Sequence, residues 1–154
     1  MPGRKKSLQA GMTLIEVLVA MLILSTGFLG AAAVQVSALK YTSSAQMKTQ
    51  ASFIAYDMLD RIRANAGADY SVAALDKIQS SLGVSSVLAH DLRDFKHNIR
   101  QFGGASASGS IAVSDRQISI NIAWDDSRAA NKDGLFQTFT LTSEVAPNFL
   151  SRAS

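Results

Sequence analysis

Between Gly11 and Lys40 the chain carries a single charged side chain, Glu16, and residues 17–39 carry none. That uncharged run exceeds the roughly 20 residues an α-helix needs to cross a bilayer. Hydrocarbon offers a backbone no hydrogen-bond partners, so such a segment is predicted to be helical. Arg4, Lys5 and Lys6 precede the run and Lys40 is the first charge after it. The positive-inside bias then leaves the N-terminus in the cytoplasm and exports everything beyond Lys40. A carboxylate in a membrane segment costs roughly 2.5 to 3.5 kcal/mol at the centre and less near the ends. Glu16 therefore implies a partner, expected from another chain.

A cleaved secretory signal peptide is the competing reading, with Arg4 to Lys6 as its basic region and Ala31-Ala32-Ala33 as a small-residue cleavage site. Its apolar core would be longer than usual and would contain Glu16. The helical pattern also runs on through Tyr41, Met47, Ala51, Ile54, Met58 and Ile62, spaced by three or four.

The stretch Gly11-Met12-Thr13-Leu14-Ile15-Glu16-Val17, behind a basic leader, resembles the type IV prepilin signature. The resemblance implies that a prepilin peptidase cuts after Gly11 on the cytoplasmic side, that Met12 becomes the methylated first residue, and that Glu16 is fifth in the mature chain. The family's usual first residue is Phe, so Met12 departs from it. Physically, cleavage would place a cationic amine at a helix N-terminus, where the free N–H groups and the macrodipole already favour a carboxylate. Glu16 is the i+4 neighbour of that amine in its own helix. In a staggered bundle it instead meets the amine of a docked subunit, and pairing both charges in low dielectric sets the register of polymerisation.

Charge excludes one function class. The leader holds three of the 15 basic residues, so the remaining 12 match the 12 acidic residues and leave no clustered footprint for nucleic acid. Cysteine is absent, which denies an exported domain the usual disulfide. Many type IV pilins staple their C-terminal region that way, and this chain is expected to hold it by packing.

The organisation expected is a leader over 1–11, an apolar half-helix over 12–39, a distal half over 40–66 and a head over 67–154. No proline interrupts the helix, about 80 Å long at 1.5 Å per residue. Gly27 and Gly30 are its weak points, and with Ala31 they favour close packing against another helix. The stretch Asp57-Met58-Leu59-Asp60-Arg61-Ile62-Arg63-Ala64-Asn65 closes it, with Gly67 as the C-cap and Asp57–Arg61 as an i, i+4 pair on a solvated face. This block, with Gln50-Ala51 and the later Ile118-Ser119-Ile120-Asn121-Ile122-Ala123-Trp124-Asp125, resembles the PilV family of minor pilins, the type IV pilus modification proteins.

In the head, Leu88, Leu92, Phe95, Ile99 and Phe102 predict an amphipathic helix over 85–102, and a shorter one is expected over 71–82. Residues 103–109 read as a flexible connector. Ile111 and Val113, a turn at Asp115-Arg116, the alternation of Ile118, Ile120, Ile122 and Trp124, and then Leu135, Phe139, Leu141 and Val145 predict three antiparallel strands. The fold class is α+β, pilin-like, with the head packed on the distal half of the long helix. Trp124 lies on the isoleucine face and is assigned to the core.

Catalysis is not indicated. His90 and His97 lie about 10 Å apart along a helix and are read as surface residues; HExxH, CxxC, GxSxG and P-loop motifs are absent. The loop residues Asp125, Asp126, Asn131, Asp133 and Gly134 offer oxygen donors, but without the EF-hand spacing or its closing Glu, and they are read as a solvated loop. No metal or other cofactor is implied. The resemblance implies a structural minor pilin at or near a pilus tip that primes assembly. Its partners would be prepilin peptidase, other minor pilins, the major pilin, a tip adhesin and the inner membrane. The alternatives are a minor pseudopilin of a type II secretion system and, more distantly, a tethered periplasmic binding module that does not polymerise.

Overall fold

The computed structural model describes residues 13–78, 86–114, 117–127 and 134–144. The chain divides into two units, Met1–Leu39 and Lys40–Ser154. Helix α1, Leu14–Ala64, is continuous through the boundary and close to the expected span. Met12, Val145 and the turn at Asp115-Arg116 lie outside the described residues.

In the first unit α1 is rich in Leu, Ala and Val, and its hydroxyls bond to its own carbonyls. Ser25 donates to Met21 O at 2.7 Å, Thr26 to Ile23 O at 2.8 Å and Ser37 to Ala33 O at 3.1 Å. These three hydroxyls thus sit on an apolar helix with their donors satisfied. The helix runs unbroken through Gly27, Gly30 and Ala31 to Ala33.

In the second unit the stripe of α1 that goes inward is Ala51, Ala55, Met58, Leu59 and Ile62. It differs from the expected stripe at one end, because Tyr41 is 75% exposed and Met47 packs only against the margin of the core. The two alanines let other elements approach the helix closely. Past Ala64 the chain turns with Asn65 N donating to Arg61 O and Ala68 N to Asn65 O. Gly67 does not take the left-handed conformation and is not the expected cap. Asn65 instead reaches forward, its amide donating to the Tyr70 hydroxyl at 3.0 Å, which fixes the return of the chain.

The short helix expected over 71–82 is not formed in its described part. Val72 exchanges two 2.8 Å backbone bonds with Ile111, and only a single 3₁₀ turn, Leu75–Lys77, follows. Tertiary pairing takes the backbone groups that a helix would have used; residues 79–82 lie outside the described residues. Helix α2, Val87–Gly103, matches its prediction. Ser86 accepts from Ala89 N at 3.1 Å as N-cap, and Ala89, Leu92, Phe95 and Ile99 are buried.

Residues 103–109 are also corrected. Gly104, at φ 74°, ends α2 by donating to Arg100 O, and β1, Ser108–Ser114, begins at once. A Cβ on Gly109 would lie 2.5 Å from Ile99 Cδ1, and one on Gly103 2.6 Å from Ala107 Cβ. The glycines serve close approach rather than flexibility.

Strand β2, Gln117–Asp125, pairs antiparallel with β1 and with β3, Phe136–Glu144, in the order β1-β2-β3. Ile118, Ile120, Ile122 and Trp124 form one face and join the α1 stripe and the α2 face in a single core. Trp124 is fully buried, as expected, and meets Phe102 edge to face at 5.4 Å between ring centroids. Its indole N–H has no hydrogen-bond partner among the described residues.

Trp124→Ala is expected to destabilise the head by about 3–5 kcal/mol. Trp124→Phe keeps a ring against Phe102 and deletes the unpaired N–H, whose burial is itself costly, so its loss should be less than half as large. Pulse proteolysis of the full chain in mild detergent across a urea series measures both; equal losses would mean that the indole N–H is satisfied.

Candidate functional site

Glu16 lies in the first turn of α1. Thr13 caps that turn, with Glu16 N bonded to Thr13 O at 3.0 Å and to its Oγ1 at 3.4 Å. Thr13-Leu14-Ile15-Glu16 is thus half of a capping box, a signal the sequence reading passed over. The Glu16 carboxylate has no hydrogen-bond or ion-pair partner among the described residues, and the apolar side chains around it, Leu14, Ile15, Leu18 and Val19, are exposed. Gly11 and Met12, the expected cleavage and methylation positions, lie outside the described residues. Beyond its own helix backbone and chain neighbours, a Cβ at Gly27 or Gly30 would meet nothing within 4 Å among the described residues, so the close packing expected there has no neighbour among them.

A polar cluster that sequence spacing did not reveal lies in the second unit. Arg61 pairs with Asp57 at 3.0 Å as expected, but its face is not merely solvated. The same guanidinium reaches across to α2, with Nη1 at 3.0 Å from both Asp91 and Asp94. Asp91 is buried and also accepts from the Tyr70 hydroxyl at 2.7 Å. Burial alone would lower the Arg61 pKa, but hydrogen bonds to Asp91 and Asp94 and the Asp57 and Asp91 charges outweigh it and raise the pKa. Burial, and then its bond to Asp91, push Tyr70 up to about 12. A buried carboxylate held by two donors is the arrangement that makes such burial tolerable.

His90 and His97 are exposed, on one helix and not brought together; His90 Nδ1 lies 3.3 Å from Asp94 Oδ2. Among the described residues no group of His, Asp and Glu is arranged to hold a metal. Asp126, at the head of the loop with oxygen donors, is buried and accepts from Ser44 Oγ of α1 at 2.7 Å. Asp125 accepts from Ser127 N at 2.9 Å. Asn131 and Asp133 lie outside the described residues.

The Tyr70 pKa lies above its ordinary value of 10, so the bond to Asp91 contributes fully below pH 10 and is lost as pH rises through about 12. The full chain should lose stability over that window. Tyr70→Phe should flatten the loss and cost about 1–3 kcal/mol at neutral pH. Urea midpoints against pH for both proteins measure this; an unchanged alkaline slope in the variant would remove Tyr70 from the cluster.

Residues 6–32 match the family model of the prokaryotic N-terminal methylation motif. No curated protein and no solved structure matches the chain. The matched stretch spans Gly11, Met12 and Glu16 and enters α1, a helix long and apolar enough to cross a membrane. The chain opens on a prepilin-type signal that fits inner-membrane anchoring and processing by prepilin peptidase, and its α+β architecture is pilin-like.

Proposed function

We propose that the protein is a structural minor pilin of the PilV type, cut after Gly11, methylated on Met12 and assembled through its apolar helix. One observation carries the reading: a methylation motif over residues 6–32 runs into a helix whose apolar stretch, residues 14–39, has Glu16 as its one carboxylate, with no partner among the described residues. The carboxylate pairs with the amine of a neighbouring subunit, and the head faces the periplasm before assembly and the exterior after it. Its role is to prime the fibre at or near the tip with other minor pilins, the major pilin and an adhesin, and it is not catalytic. Gln50-Ala51, the block 57–65 and the segment 118–125, which resemble the PilV family, support that assignment over other minor pilins.

The experiment is to delete the protein and follow surface pili and exoprotein secretion in parallel. Loss of pili with secretion intact fits the proposal; the reverse assigns the chain to a type II secretion pseudopilus.

Gly11→Leu is expected to leave a full-length precursor in the inner membrane, while the wild-type chain yields N-methylated Met12 as its first residue. Mass spectrometry of the purified protein decides this, and any other mature N-terminus refutes it.

Glu16→Ala should still insert and still be cleaved, since removing a charge favours insertion. Its amount in sheared fibres should fall more than tenfold, because an unpaired buried amine costs about 3–5 kcal/mol and each 1.4 kcal/mol is tenfold. Wild-type amounts of the variant in the fibres would deny Glu16 any assembly role.

A further inference from the structure

The two edges of the sheet are treated differently. On the β1 edge, Ile111 is capped by its paired bonds to Val72. At the β3 edge, among the described residues, no backbone hydrogen bond arrives from any element but β2. Natural edge strands are protected by brevity, proline, lysine or bulges. Strand β3 has nine residues, Phe136–Glu144, with no proline, lysine or arginine, and its one charge is its last residue. The core face stops short there too. Ile120 and Ile122 of β2 are fully buried, whereas their β3 neighbours Leu141 and Phe139 are only partly buried. Backbone and side chains both end as if one more strand belonged beside them.

We propose that this strand is β3 of a second copy, paired antiparallel, which joins two three-stranded sheets into one of six strands. The residues of β3 are self-complementary about Thr140. In the symmetric register Thr140 opposes Thr140, Phe139 opposes Leu141, Thr138 opposes Thr142 and Gln137 opposes Ser143. Core-face residues meet core-face residues throughout, and apolar meets apolar at both Phe139–Leu141 pairs, the kind of cross-strand contact that stabilises a sheet. Glu144 faces Phe136, so no like charges meet. A slip of two residues either way puts Gln137 against Leu141 or Ser143 against Phe139 and leaves two residues of each strand unpaired. This interface uses no part of the N-terminal helix and does not depend on leader cleavage or on Glu16.

The absence of cysteine makes the register directly readable. Opposed residues of antiparallel strands have Cβ atoms about 4.5–5.5 Å apart, within a small adjustment of the 3.5–4.5 Å of a disulfide. Full-length Thr140→Cys in mild detergent, oxidised with copper–phenanthroline, is expected to give at least ten times more disulfide-linked dimer than Ala112→Cys on β1. Thr138→Cys and Thr142→Cys should each remain monomeric alone, since each lies about 13 Å from its own copy, and should cross-link when mixed. Thr140 is exposed and its hydroxyl bonds only to Asn121, at 2.7 Å, so these variants should keep the fold by circular dichroism. Light scattering should give the mass of two wild-type chains and of one Thr140→Lys chain, in which like charges would oppose each other. A monomeric Thr140→Cys, equal cross-linking of Ala112→Cys, or cross-linking of Thr138→Cys alone would overturn the proposal. A wild-type mass of one chain would also overturn it and leave the edge to a strand from a different protein.

Discussion

A backbone without water must bond to itself, and that condition governs residues 14–39. The solution is a helix with no proline, whose serine and threonine hydroxyls return to carbonyls one turn back. The same geometry runs on into the second unit, where α1 becomes a structural element of a folded domain. Only the side chains change along it: apolar and exposed from Leu14 to Leu39, then mixed, with one stripe buried from Ala51 to Ile62. One secondary structure thus meets two solvents, and the sequence changes pattern where the solvent changes.

The head compensates for the lack of cysteine by closing its core around that stripe. A domain of this size is marginal by surface-to-volume scaling. Here three isoleucines and Trp124 of β2, the α2 face and the end of α1 share one cluster. Around its edge, long-range polar contacts tie helix to helix, Arg61 to Asp91 and Asp94, and loop to helix, Tyr70 to Asp91 and Asp126 to Ser44. They link residues 21 to 82 positions apart along the chain.

The features legible in the sequence were those written in periodicity. The uncharged run gave α1, the threes and fours of Leu88 to Phe102 gave α2, and the alternation of Ile118 to Trp124 gave the central strand. Misreadings arose where a distant partner outbid local preference. Residues 71–78 have a sequence compatible with a helix, but Ile111 claims the backbone of Val72. Glycines 103 and 109 suggested a loose connector, yet Ala107 and Ile99 press against them. Arg61 looked solvated because only its i−4 neighbour is visible along the chain; Asp91 and Asp94 lie thirty residues or more away. At the candidate site, the position of Glu16 was legible because a charge in an apolar run stands out without any tertiary knowledge.

The two treatments of a carboxylate separate scaffold from assembly device. Asp91 is buried, and the fold supplies an arginine and a tyrosine to hold it. Desolvation is then offset within the chain, and the group serves the stability of the head. Glu16 sits in a segment with no basic residue between Gly11 and Lys40, and none of its described neighbours donates to it. If that segment enters hydrocarbon, the same desolvation acts on Glu16 with nothing in the helix to offset it. On the proposed reading, the missing donor is the amine of another subunit. The insertion cost of the carboxylate then becomes a preference for the assembled state, and the position of Glu16 at the start of α1 sets the stagger at which that preference is satisfied.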